Sequence, residues 1–180
     1  MNADWVTLAV LGPTHANRGE ITAFAMTGDG TGNGTGKLER FQKLRDVWLF
    51  RESEESHRVE VDSVWEHGSR LVFKFRGIDS ISDAEVWRGA EVRVPVADRE
   101  PLEEGAFYFS DLIGCEVWDR KLGDRVGCVA AVREFGGPGL LELDNGLLIP
   151  YAKAICVNID PAARRIDVDL PEGLRELNRP

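Results

Sequence analysis

Arg58-Val59-Glu60-Val61-Asp62-Ser63-Val64-Trp65 is followed by Glu66-His67-Gly68-Ser69 and then by Arg70-Leu71-Val72-Phe73-Lys74-Phe75. Two runs rich in β-branched and aromatic residues, separated by four polar residues that include a glycine, read as an antiparallel hairpin. The same texture extends in both directions. Trp5–Leu11, Glu20–Ala25 and Asp46–Phe50 are short apolar-rich runs bounded by polar turns, and each reads as a strand. One helix interrupts them. Ser82 and Glu85 have capping-box spacing, Ala84, Val86 and Trp87 follow, and Gly89 stands where a C′ glycine belongs. Ala90–Pro95 then returns to extended chain. Many short strands with one short helix predict a small closed barrel rather than a parallel sheet.

Residues 98–104, polar and containing Pro101, read as a linker between an N-terminal unit (1–97) and a C-terminal one (105–180). Beyond the linker the alternation resumes in Cys115–Trp118, Val126–Val132 and Leu140–Leu143. Asp144-Asn145-Gly146 is a hairpin signal joining Leu140–Leu143 to Leu147–Tyr151. Ala154–Asp160 and Arg165–Leu170 complete an all-β second half.

With 180 residues and 43% hydrophobic content the chain can bury a core in one large or two small domains. No apolar run approaches the roughly 20 residues that span a bilayer as a helix. The first residues lack the basic and apolar regions of a secretory signal, so a cytoplasmic location is expected and no membrane partner. The net charge of −9 divides into −4 over residues 1–100 and −5 over 101–180. That balance disfavours phosphate neutralisation as the main binding mode and favours a basic partner. Cys115, Cys128 and Cys156 lie in apolar stretches without metal spacing, and read as buried reduced thiols.

The glycine-rich segment Thr27–Lys37 fails as a phosphate loop, because Leu38 follows Gly36-Lys37 where Ser or Thr is needed. It fails as a calcium loop because Arg40 occupies the bidentate glutamate position. It reads as a flexible surface loop. Glu52–Glu55 and Glu103-Glu104 read as solvated charge runs. Nothing assembles a catalytic constellation, so an enzyme is not expected, and the residues require neither a cofactor nor a metal. A flavin reductase built on a similar barrel is the enzymatic alternative.

The segment Phe107-Tyr108-Phe109-Ser110-Asp111-Leu112-Ile113-Gly114 is the most distinctive. Side chains alternate faces along a strand, so three consecutive rings cannot all point inward. At least one, Tyr108 or a neighbour, then covers either the boundary between the halves or an exposed docking patch. Asp111 reads either as a local cap for backbone N–H groups or as an acceptor for a basic partner.

Several separated stretches together resemble the ribosome maturation factor RimM family. Gly12-Pro13-Thr14-His15-Ala16-Asn17-Arg18-Gly19-Glu20 is similar to its Gly-Pro-His-Gly-x-x-Gly-Glu signature, with one extra residue and no glycine after the histidine. Met26-Thr27 with Leu38–Phe41, and Phe75–Asp79 with Asp83–Gly89, resemble its next two blocks. Gly105–Gly114 resembles Tyr-Tyr-Trp-x-Asp-Leu-Ile-Gly, with Phe107 and Phe109 replacing a tyrosine and the tryptophan. Gly123–Val132, Gly136–Leu143, Leu148–Tyr151 and Pro171–Leu174 complete the pattern.

The resemblance implies an N-terminal six-stranded barrel like the second domain of translation elongation factors, then a PRC-type barrel. It implies a non-enzymatic assembly factor that binds the small-subunit head protein numbered nineteen and the immature 30S subunit, assisting maturation of the 16S rRNA 3′ domain. Partner-binding residues expected on this basis and from the residues themselves are Phe107, Tyr108, Phe109 and Asp111. The alternative is a barrel that contacts 16S rRNA directly through a local basic patch of Arg18, Arg40, Lys43 and Arg45. A monomer is expected, since nothing indicates a self-complementary seam.

Overall fold

The computed structural model describes residues 5–28, 38–51, 56–102, 104–133 and 139–177. The readings placed on the glycine-rich segment beyond Gly28, on Glu52–Glu55, on Glu103 and on Gly136 lie outside the described residues. The chain divides into two compact units, with the change at Leu102 and Glu103.

The first unit is a closed barrel. Its strands are β1 (Trp5–His15), β2 (Glu20–Ala25), β3 (Asp46–Phe50), β4 (Ser56–His67), β5 (Arg70–Phe75) and β6 (Glu91–Pro95), in the order β1-β2-β5-β4-β3-β6, with β6 returning to β1. Closure leaves no unpaired edge. It also demands that every strand keep an apolar row inside while it bends. Two bulges reconcile these demands. Val61 pairs with Phe75 but Ser63 with Lys74, so one extra residue lets Val61 and Val64 both face inward although three positions separate them. On β1 the register with β6 slips between Thr7 and Ala9, and Leu8, Ala9 and Leu11 are all buried.

The interior is filled by Ile21, Leu49, Leu71, Phe73, Phe75 and Val92, each fully buried. The helical turn α1 (Leu38–Gln42) packs against β4 and contributes Phe41, whose ring meets Phe73 edge-on at 6.0 Å. No sequence signal marks this turn. The expected helix is present as α2 (Ile81–Glu85), with its cap two residues earlier than the sequence suggests. Ser80, in extended conformation, accepts a bond from the Asp83 N–H and donates its hydroxyl to the Asp83 carboxylate at 2.6 Å. That hydroxyl bond, foremost, holds the Asp83 carboxyl below the ordinary range. Ser80 rather than Ser82 caps the turn, and Asp83, three residues on, answers its hydroxyl.

The loop between β1 and β2 is clamped at both ends. Gly12 lies against the Thr22 hydroxyl, which donates to the Pro13 carbonyl at 2.7 Å. Gly19 has φ +76°, and a Cβ there would overlap the Ile78 carbonyl oxygen. Lys74 fixes that strip of chain by donating to the Ile78 carbonyl and pairing with Asp79.

The second unit begins with the helical turn α3 (Phe109–Leu112) and continues as a six-stranded sheet. Its strands are β7 (Glu116–Asp119), β8 (Asp124–Arg133), β9 (Leu140–Leu143), β10 (Leu148–Pro150), β11 (Cys156–Asp160) and β12 (Arg165–Val168), in the order β10-β9-β8-β7-β12-β11. All pairs are antiparallel except β12 with β7, where Ile166 lies beside Val117. Leu141, Ile149, Val117, Ile166 and Val168 supply the core. Cys115 and Cys156 are buried thiols, and burial pushes Cys156 up to about 11; Cys128 is only half-buried, which corrects the expectation for that residue.

A C-terminal latch closes this unit. Asp119 is 3% exposed and accepts from the Lys121 and Leu122 N–H groups, capping the β7–β8 turn. Arg175, on the short helix α4 (Leu174–Leu177), reaches Asp119 at 2.9 Å and Asp124 at 2.7 Å. The hydrogen bond from Arg175 is the main cause that holds the Asp124 carboxyl below its usual range.

Gly19→Ala should lower unfolding stability by about 2–3 kcal/mol, since it adds a left-handed backbone penalty to a steric overlap. Gly68→Ala, at φ +62° with open space around it, should cost only about 1 kcal/mol. Urea denaturation of both variants reads the difference. Arg175→Met should cost about 2–3 kcal/mol by stranding the buried Asp119 carboxylate. Because the folded Asp124 carboxyl titrates lower than in the unfolded chain, its contribution is complete above about pH 5 and fades as the pH falls through the folded value. Arg175→Met should therefore lose less stability than the parent between about pH 5 and pH 2.5, in parallel acid titrations of unfolding.

Candidate partner-binding site

The Phe107–Gly114 segment opens the second unit, and its backbone overturns the premise of continuous alternation. Phe107 and Tyr108 are extended, but the chain turns helical at Phe109, the first residue of α3, with Tyr108 as the N-cap residue at φ −71°, ψ 136°. The switch from a two-residue to a 3.6-residue period rotates Phe109 away from the face it would occupy in a strand. Tyr108 and Phe109 are consequently both buried, at 1% and 3% exposure, and Leu112 is fully buried with them. Tyr108 is thus no exposed docking ring. Phe109 meets the Tyr151 ring edge-on at 5.4 Å and lies over Gly139, where an added Cβ would stand 3.5 Å from it. Tyr151 donates its N–H to the Gly139 carbonyl at 2.7 Å, so ring and backbone close one small core.

The accessible rim of the segment is different. Phe107 and Asp111 are half-buried, Ser110 is exposed, and Ile113 is 46% exposed at the helix C-cap. Asp111 lies inside the turn rather than at its N-cap. The turn is anchored from below: Cys115 donates its thiol to the Asp111 carbonyl at 3.5 Å, and Gly114 donates its N–H to the Val129 carbonyl at 2.8 Å. Gly114 has φ +82°, and the Arg164 guanidinium lies 3.3 Å from where its Cβ would stand. Ile113 is an accessible residue that the sequence pattern did not single out; its place two residues after Asp111 was the available signal.

The basic residues expected to meet RNA do not form one patch of free charges. Arg40 is half-buried and bonds the Thr27 hydroxyl. Lys43 lies 3.9 Å from Glu100. Arg45 follows α1 and is exposed, and Arg18 is exposed on the β1–β2 loop. Among the described residues no group of three or more His, Cys, Asp or Glu side chains is placed to hold a metal. No helix among them is long and apolar enough to cross a membrane.

Residues 6–99 match the RimM N-terminal domain and residues 109–174 the RimM PRC barrel domain. A ribosome maturation factor RimM from Solibacter usitatus is 51% identical, covering 98% of this chain and 96% of that protein. One from Acidobacterium capsulatum is 40% identical, covering 97% and 82%. The crystal structure of a putative 16S ribosomal RNA processing protein RimM from Pseudomonas aeruginosa superposes with a TM-score of 0.45 at 23% identity, over 93% of this chain and 98% of that one. The chain belongs to the RimM family.

Phe109→Ala should cost about 3–5 kcal/mol of stability by emptying the space against Tyr151 and Gly139, whereas Ile113→Ser should stay within about 0.5 kcal/mol. Thermal and urea unfolding of the two variants check this ranking.

Proposed function

We propose that this member of the RimM family is a non-enzymatic assembly factor of the small ribosomal subunit. The observation that carries the proposal is the 51% identity, over nearly the whole length of both chains, to a protein named as a ribosome maturation factor. The client proposed is the head protein numbered nineteen, met on the immature 30S subunit while the 16S rRNA 3′ domain matures, in the cytoplasm. Ribosomal proteins are basic, and a chain of net charge −9 steers such a partner toward itself.

The docking surface proposed is the rim of the Phe107–Gly114 segment rather than all of its rings. Phe107 and Ile113 offer apolar area and Asp111 a carboxylate, while Tyr108 and Phe109 are buried. An apolar contact flanked by a charge matches how interfaces concentrate binding energy at a few residues. Mechanistically, occupying the client's surface until its RNA site has formed would prevent premature contacts without any chemical step.

Phe107→Ala combined with Ile113→Ser should weaken capture of immature small subunits at least about tenfold, the scale of one interface hot spot, with the thermal unfolding midpoint retained. Co-sedimentation reads the effect. Undiminished binding by the folded double variant would place the contact elsewhere.

A further inference from the structure

The end of β1 and the neighbouring strands build a surface on the outer face of the first barrel. The inward rows of β2 and β5 are Ile21, Ala23, Leu71 and Phe73, so Thr22 and Val72 point outward; both are nevertheless buried. What stands around them is aromatic. Trp65 is the cross-strand partner of Val72 on β4, and the His15 ring lies 6.4 Å from the Trp65 ring and 4.6 Å from that of His67. His67 in turn faces Arg70 across the hairpin, and the Arg70 guanidinium lies 4.6 Å over the Phe24 ring. The strip crosses four neighbouring strands, β1, β2, β5 and β4, as a run of rings joined by one guanidinium.

Its two arginines, Arg18 and Arg70, like Arg45 and Arg51 of the same unit, form no ion pair among the described residues. Arg58, Arg76, Arg88 and Arg93 of the same unit each pair with a carboxylate. Arg18 extends from the loop that follows His15. Glu20 is the nearest acid along the loop, and its carboxylate accepts from the Arg18 backbone N–H at 2.8 Å rather than from the guanidinium. The clamps at Gly12 and Gly19 hold the loop, so its tip is presented in a fixed position.

The geometry points to an RNA-contacting surface on the first barrel, made of His15, Trp65, His67 and Phe24 with Arg18 and Arg70, that takes an unpaired segment of RNA. Flat rings accept bases by stacking with little regard to sequence, and guanidinium groups without a carboxylate partner accept the flanking phosphates. A duplex, with its bases stacked internally, offers such rings little. Of the basic residues Arg18, Arg40, Lys43 and Arg45, this surface includes Arg18 alone, and it lies in a different unit from the protein-binding rim. The inference rests on the assembly-factor reading and deepens it by giving the factor a second, RNA-directed contact.

The test is fluorescence anisotropy with the full chain, a labelled unpaired RNA of about 12 nucleotides and a duplex of the same length, at low and physiological salt. Unpaired RNA should bind at least about tenfold more tightly than duplex, and the paired reversals Arg18→Glu and Arg70→Glu should lower that affinity about tenfold or more and flatten the salt dependence by about two units of slope. His67→Ala, an exposed position, should lower it less. The Phe107/Ile113 double variant should bind RNA as the parent does, which keeps failure of the rim proposal separate from failure of this one. Three results would overturn the inference: no RNA binding at low salt, equal affinity for duplex, or unchanged binding in the folded Arg18/Arg70 variant.

Discussion

Closing six strands into a barrel imposes a single condition on the first unit: the apolar row must stay inside through every bend. Straight alternation cannot meet it, because the bend changes which face looks inward. The bulges after Val61 and after Thr7 meet it by inserting one extra residue each, and Phe73 and Phe75 then fill the enclosed space with Phe41 against them. The outer surface follows from the same condition. Once Leu71 and Phe73 are committed inward, Val72 must face out, between its cross-strand neighbours Trp65 and Thr22.

The second unit solves a different problem. Its sheet is opened by a segment dense in rings, and burying adjacent aromatics requires the backbone to change period between them. The turn from extended Tyr108 into the helix at Phe109 does this, and the glycines at 114 and 139 make room for the Arg164 guanidinium and the Phe109 ring. Residues of one motif thereby divide their work. Tyr108, Phe109 and Leu112 support the fold, while Phe107, Asp111 and Ile113 remain where a partner can reach them.

Much of this is legible in residue patterns. Asp46–Phe50, Arg70–Phe75 and Leu140–Leu143 have the strand bounds that their apolar runs suggest, because β-branched and aromatic runs ended by turn residues leave little choice of register. The all-β class and the closed first barrel follow from the number and shortness of such runs, and the family from the order of its blocks. Short helical turns are not legible: five residues at Leu38–Gln42 are too few to display a 3.6-residue period, and three rings in a row imitate a strand. The cap at Ser80 is hidden because two serines compete and only the structure shows which one Asp83 answers. The contact of His15 with Trp65 and His67 joins residues far apart in sequence, and depends on a loop fold that no local pattern encodes.

The most direct test of the central claim is capture by the tagged full chain from purified free small-subunit proteins, immature small subunits and mature small subunits, each offered separately. The account predicts retention of the head protein numbered nineteen and of immature particles, with mature subunits passing through. Failure to retain either the free protein or the immature particles, or equal retention of immature and mature subunits, would contradict it.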